Sequence, residues 1–278
     1  MIDIQNVNKY FDTVKAVDGL SFQVKEGMFL GLLGPNGAGK TTTIKMMIGL
    51  LDPTEGQIRY DGQIMGKGQI EIKKKIGVVS QHINLDKELT VEENMIFSGK
   101  LYHMKRKDIL ERTDELLTLL GLNDVKNRVS KNLSGGMKRK LMIAKALVHD
   151  PEFIFLDEPT VGIDVHARKE IWRFLKKFHS EGKTIILTTH YIEEAEQLCD
   201  YVMLVNHGRV FKENTADALI EELGRFKIES DTDMTFFNTL EEANHASTKL
   251  KCLYTISQTS LEDVFYHYTN EQVHVWKS

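Results

Sequence analysis

Apolar and β-branched residues alternate with polar ones over Ile2–Val7 and again over Val17–Val24, the period of half-buried strands. Gly27 marks a turn, and the unbroken apolar run Phe29–Leu33 follows as a further strand. A helix is expected from Thr41 to about Leu50, stopped by the turn signals of LDPTEGQ. Strand signals return at Gln57–Asp61 and in IGVVS, which leads to Gln81. The middle of the chain changes character. Thr90 and Glu93 have the spacing of a capping box that opens a helix to about Leu101, residues 106–120 carry helical leucine spacing, and a third helix is expected to start after Ser134 and run to His149. Beyond Pro151 the rhythm is strand FIFLDEP, helix 164–180, strand TIILTTH, helix 192–198, strand YVMLV, and a His207-Gly208 turn into Arg209–Phe211. The remainder offers strand-like FKIES and KCLYTISQ and a short helix opened by Ser260 and Asp263. Strands alternating with helices predict a mainly parallel sheet covered by helices, with a helical block inserted at about 83–150 and a small α+β accessory region at 216–278.

Composition adds bounds. A chain of 278 residues can bury a full core, and 41% hydrophobic with 27% charged residues is ordinary for a globular protein. The net charge of −4 argues against nucleic acid as an obligatory partner, which would call for a basic surface. The apolar runs are too short to span a bilayer and the N-terminus lacks a signal pattern, so a cytoplasmic location is expected. Cys199 and Cys252 have no CxxC spacing and read as buried, reduced thiols, and the ten histidines show no metal-binding spacing.

The chemistry is concentrated in a few strings. Gly34-Pro-Asn36-Gly37-Ala38-Gly39-Lys40-Thr41 is a complete G-x-x-x-x-G-K-[ST] between an apolar strand and a helix, followed by Thr42. Its glycines let backbone N–H groups wrap phosphates, Lys40 neutralises them, and the Thr41 hydroxyl can ligate Mg²⁺. The strand Phe153–Leu156 aims Asp157 at that loop as a second Mg²⁺ ligand, while alternation is expected to send Glu158 to the other face, where it could orient or deprotonate water. His190 and Gln81 each follow a strand, at the edge where α/β ligands bind; Gln81 suits sensing of the metal or the water. Leu133-Ser134-Gly135-Gly136-Met137 reads as a second anion-binding helix start. Of the cations that follow, Lys138, Arg139 and Lys140, a solvated helix face is the default reading, with a bound anion or acidic neighbour as the alternative.

In this order the strings resemble the ATP-binding subunit of an ABC transporter, over about residues 2–225. The resemblance implies a P-loop ATPase core with an N-terminal antiparallel β subdomain, spanning residues 1–215. It makes GPNGAGKTT the Walker A loop, Gln81 the Q-loop glutamine, LSGGM the signature, Asp157 and Glu158 the Walker B pair, Val161–Asp164 the D-loop and His190 the switch histidine. Tyr10 matches the adenine-stacking aromatic, with Phe11 as a rival. Family members pair head to tail, so Ser134, Gly135 and Gly136 would cap ATP held by a partner's Walker A loop, in a homodimer or a heterodimer. Met137 departs from the usual Gln and Ile163 from the usual Leu. The tail TSLEDVFYHYT resembles that of the type 2 exporter ATPases, which serve separately encoded membrane permeases and export drugs, antibiotics, lipids, polysaccharides or ions from the cytoplasmic face. A soluble relative acting on ribosomes or DNA and an importer ATPase are the alternatives.

Overall fold

The computed structural model describes residues 1–230, 233–250 and 252–269. Strands β1 (Ile2–Phe11) and β2 (Val14–Val24) form a hairpin, β3 (Phe29–Leu33) leads through the glycine loop to helix α1 (Lys40–Met47), and β4 (Glu55–Tyr60), β5 (Gln63–Ile64), α2 (Ile70–Lys74) and β6 (Ile76–Val79) follow. The helical block holds α3 (Val91–Leu101), α4 (Arg106–Leu120) and α5 (Gly135–Leu147). The α/β rhythm resumes with β7 (Phe153–Asp157), α6 (Val165–Ser180), β8 (Thr184–Thr189), α7 (Ile192–Leu198), β9 (Tyr201–Asn206) and β10 (Arg209–Asn214). Last come α8 (Ala216–Leu223), β11 (Phe226–Ser230), β12 (Met234–Phe237), α9 (Leu240–Ser247), β13 (Tyr254–Gln258) and α10 (Leu261–Thr269).

Three sheets result, in the orders β2-β1-β4-β5, β10-β9-β3-β8-β7-β6 and β12-β11-β13. Within the central sheet β9, β3, β8, β7 and β6 are parallel, and β10 closes the edge antiparallel. Its strands are apolar on both faces because both faces are covered. On β7, Phe153 and Phe155 enter the core shared with the N-terminal antiparallel sheet and α1, while Ile154 and Leu156 enter the core beneath α3–α6. The expected α/β architecture, with its antiparallel N-terminal sheet and inserted helices, is the one observed.

Local chemistry explains the boundaries. Thr90 and Glu93 form the capping box of α3, with Thr90 Oγ1 accepting from the Glu93 N–H at 3.2 Å and the Glu93 carboxylate accepting from the Thr90 N–H at 2.8 Å. Helix α1 ends earlier than expected because Gly49, at φ 66°, turns the chain and lets Leu50 and Leu51 N–H both donate to the Lys45 carbonyl. His207 and Gly208, at φ 46° and 77°, make the expected tight hairpin, although β10 continues to Asn214. In the accessory region, α8, β12 and α9 are present besides the expected strands, the expected strand from Lys251 starts at Tyr254, and both Lys251 and residues 270–278 lie outside the described residues. Leu261, Val264 and Phe265 of α10 pack with Leu219 of α8 onto Leu33, Ile192 and Leu204, so the tail motif helps to fill a core of the ATPase body. Cys199 packs against that core, but Cys252 is exposed, contrary to the expectation of two buried thiols.

Candidate active site

All the loops of interest leave the carboxyl ends of parallel strands: Gly34 after β3, Gln81 after β6, Glu158 after β7 and His190 after β8. That is the edge at which open α/β sheets bind ligands. In the first loop Gly37 and Gly39 have φ 85° and 99°. Gly34 has no room for a side chain, since a Cβ there would lie 2.1 Å from the Val205 carbonyl oxygen. Asn36 and Gly37 form the exposed tip, Ala38 is buried, and Thr42 is half-buried on α1. Lys40 is only 5% exposed and folds back over the loop, donating to the carbonyls of Gly34 at 2.8 Å and Pro35 at 3.0 Å. Burial lowers its pKa, opposed by the carboxylates of Glu158 and Asp157.

Two carboxylates with different partners sit beside this lysine. Asp157 Oδ1 accepts from Thr41 Oγ1 at 3.0 Å and from Thr188 Oγ1 at 2.6 Å, which gathers hard oxygen donors from α1, β7 and β8 in one place. Glu158 Oε2 accepts from Gln81 Nε2 at 3.0 Å, while Oε1 lies 3.2 Å from His190 Nδ1 and 3.7 Å from Lys40 Nζ. Burial acts to raise the Glu158 pKa, but His190 and Lys40 outweigh it and hold the carboxyl below its usual range. The four residues gathered here come from positions 40, 81, 158 and 190.

One expectation needs correction. Glu158 does not reach its place by strand alternation: β7 ends at Asp157 and Glu158 turns at φ 49°, with its N–H donating to the Thr188 carbonyl at 3.0 Å. A non-glycine residue there is strained, and the bond to β8 and the network around the carboxylate offset the strain. Tyr10 and Phe11 both end β1 exposed, under the ammonium groups of Lys15 at 5.3 Å and Lys9 at 5.4 Å. Their hairpin abuts the glycine loop at Ala16, whose carbonyl would lie 2.5 Å from a Cβ on Gly39, so both aromatics stay candidates.

The second anion-binding start stands apart. Ser134 caps α5, its Oγ accepting from the Met137 N–H at 3.2 Å; Gly135 has open space before it, and a Cβ on Gly136 would meet Ala167 Cβ at 3.0 Å. Among the described residues no hydrogen bond joins Ser134, Gly135 or Gly136 to the glycine loop, Asp157 or Glu158. The cation run that follows divides three ways. Lys138 borders a surface groove beside Ile83 and Lys131, and Lys140 pairs with Glu170 at 2.6 Å. Arg139, read by default as part of a solvated face, is 4% exposed. Its phase on α5 was the available signal: it precedes buried Met142, Ile143 and Ala146 by three, four and seven residues. Buried Glu194 on α7 was also missed; it accepts from Thr160 Oγ1, from Trp172 Nε1 at 3.1 Å and from Thr189 Oγ1 at 2.6 Å, bracing the chain just before His190.

Known proteins resemble this chain in sequence and in fold. The model of the ABC transporter family matches residues 17–161. The Nod factor export ATP-binding protein I of Rhizobium sp. (strain N33) is 46% identical over 221 residues, 80% of this chain and 73% of the relative. The linearmycin resistance ATP-binding protein LnrL of Bacillus subtilis (strain 168) is 41% identical over 224 residues, 81% and 72% of the two chains. A solved dimeric ATP-binding cassette in a post-hydrolysis state, bound to ADP and Pi, superposes with a TM-score of 0.72 at 29% identity, covering 77% of this chain and 98% of that one.

Proposed function

The chain belongs to the ABC transporter family and is an ATP-binding ATPase, and from that premise we propose that it energises a separately encoded membrane permease, in an export system. The observation that carries the reading is the convergence of Lys40, Gln81 and His190 on the Glu158 carboxylate. An ionised carboxylate held between an amide and an imidazole is placed to orient water and draw off its proton as the γ-phosphate is attacked. Lys40 would exchange its own loop carbonyls for phosphate oxygens, and the backbone of Gly34–Thr42 would wrap them. Thr41 and Asp157 are the residues that would hold Mg²⁺, an oxygen donor set that suits a hard cation, and Gln81, whose amide nitrogen donates to Glu158, would offer its side-chain oxygen as a further ligand. When bound, that ion neutralises charge on the β- and γ-phosphate oxygens. Tyr10, or Phe11 in its place, would stack on the adenine.

Ser134, Gly135 and Gly136 serve the site of a second cassette, identical or paralogous, as their separation from this chain's own loop suggests. No helix among the described residues is long and apolar enough to cross a membrane, so the permease would hold the chain at the cytoplasmic face. Residues 82–100, where Phe97 of α3 is exposed beside the helix-ending Leu101, are where the permease would dock. The relatives are named for Nod factor, linearmycin and daunorubicin, and the exported substrate would be set by the permease. No nucleic acid partner is expected. Purification of the tagged chain from membranes in mild detergent tests the proposal. A polytopic permease should be recovered with it, whereas recovery of ribosomes or DNA would overturn the transport reading.

A further inference from the structure

Arg139 lies five residues after Ser134 on the same helix but faces its own chain's site. Its three guanidinium nitrogens all donate, and every oxygen they reach is a backbone carbonyl. Nη1 donates to Ser80 at 2.7 Å and to Gln81 at 3.2 Å, Nη2 to Asp157 at 3.3 Å and to Glu158, and Nε to Pro159. No carboxylate is salt-bridged to it among the described residues; Glu194, Asp157 and Glu158 compensate its charge from beyond contact. Burying a guanidinium without a paired anion is costly, and only the planar five-donor fork of arginine can satisfy two separate loops at once.

Those two loops carry the residues that meet in the site, since Gln81 and Glu158 are joined by their side chains as well. We infer that Arg139 is a positioning residue for hydrolysis: from the signature helix it fixes the backbones of Gln81 and Glu158 relative to each other, and it acts on its own chain's site while Ser134 acts on the partner's. This rests on the reading of Glu158 as the hydrolytic carboxylate and of each site as shared by two chains.

Two variants separate positioning from packing. Arg139→Lys keeps the charge and loses the fork, and Arg139→Met loses both. Displacing a reacting group by an ångström lowers rate far more than ground-state binding, so kcat should fall about 10- to 100-fold in Arg139→Lys with the Kd for Mg·ATP changed by less than about threefold. Unchanged kcat, or Kd rising in step with the loss of kcat, would overturn the inference. Should Arg139→Met not fold, the lysine variant carries the test alone.

Mixed dimers then identify the site affected. A chain bearing Arg139→Lys is paired through separate tags with a Lys40→Ala chain, which leaves only the site whose glycine loop is on the Arg139→Lys chain. It is next paired with a Ser134→Arg chain, which leaves only the site whose glycine loop is on the other chain. The inference expects the first pair to be slow and the second to turn over like a control pair of Lys40→Ala with Ser134→Arg. The reverse pattern, or equal loss in both pairs, would refute it. An inactive control pair would count against the shared-site reading instead, and the kcat and Kd split in the uniform variant would still decide the role of Arg139.

Discussion

His149, just past α5, joins the helical block to the strand that leads to Gln81, and its titration gives a stability term that can be worked out. Its ring stacks on Tyr102 at 3.5 Å, its Nε2 donates to the Ile76 carbonyl at 3.1 Å, and its Nδ1 is buried without a partner among the described residues. Protonation would place an unpartnered N–H beside the stack, and burial lowers the pKa from 6.5 to about 4, against the smaller upward pulls of the Ile76 carbonyl and Asp150. Because the folded value is the lower one, the neutral ring costs nothing above pH 6.5, and stability falls as pH drops from there toward 4. Between pH 7.5 and 5.5 the loss from this ring is about 1.3 kcal/mol, reaching about 3 kcal/mol below pH 4. His149→Gln keeps a donor for the carbonyl and cannot be protonated. Urea unfolding of both proteins at the two pH values isolates the term, since other groups cancel in the difference. The variant, destabilised at pH 7.5 by the lost stacking, should lose about 1.3 kcal/mol less than the native protein on acidification. Equal losses in the two proteins would refute the reasoning.

Two other substitutions probe the site. Lys40→Ala should weaken Mg·ATP binding about 10- to 100-fold by calorimetry, because it removes charge-assisted bonds to phosphate; unchanged affinity would contradict the assignment of the loop. Glu194→Ala should lower stability by about 3 kcal/mol or more, since the donors on Thr160, Trp172 and Thr189 lose their common acceptor. Glu194→Gln should cost less, as the amide oxygen still accepts, and equal denaturation midpoints for the two would count against the brace.

Much of this was legible because it is local or periodic. The glycine string requires backbone freedom that only glycine supplies, and Gly34 and Gly39 both prove to lie against carbonyls that leave no space for a Cβ. The helices at 91–101 and 106–120 have caps and leucine phases that tertiary contacts did not override. Glu158 shows the limit, because the pleat rule holds only while the strand lasts and here the strand stops one residue earlier. Arg139 shows another: charge alone suggests solvent, and only the carbonyls of two distant loops make burial tolerable. The short helices and strand at 216–247 follow no long period, and their packing depends on partners such as Leu33 and Ile192 that sequence separation conceals.

The central claim is that Glu158, set by Gln81, His190 and Lys40, drives ATP hydrolysis in a site completed by a second cassette. Glu158→Gln tests it most directly, measured for turnover, for Mg·ATP affinity and for mass in solution with and without nucleotide. Turnover should fall about 100-fold or more with affinity kept, and Mg·ATP should convert the chain, or the chain with its paralogue, into a stable dimer. Hydrolysis at the native rate, or a variant that stays monomeric with saturating Mg·ATP in the presence of either partner, would contradict it.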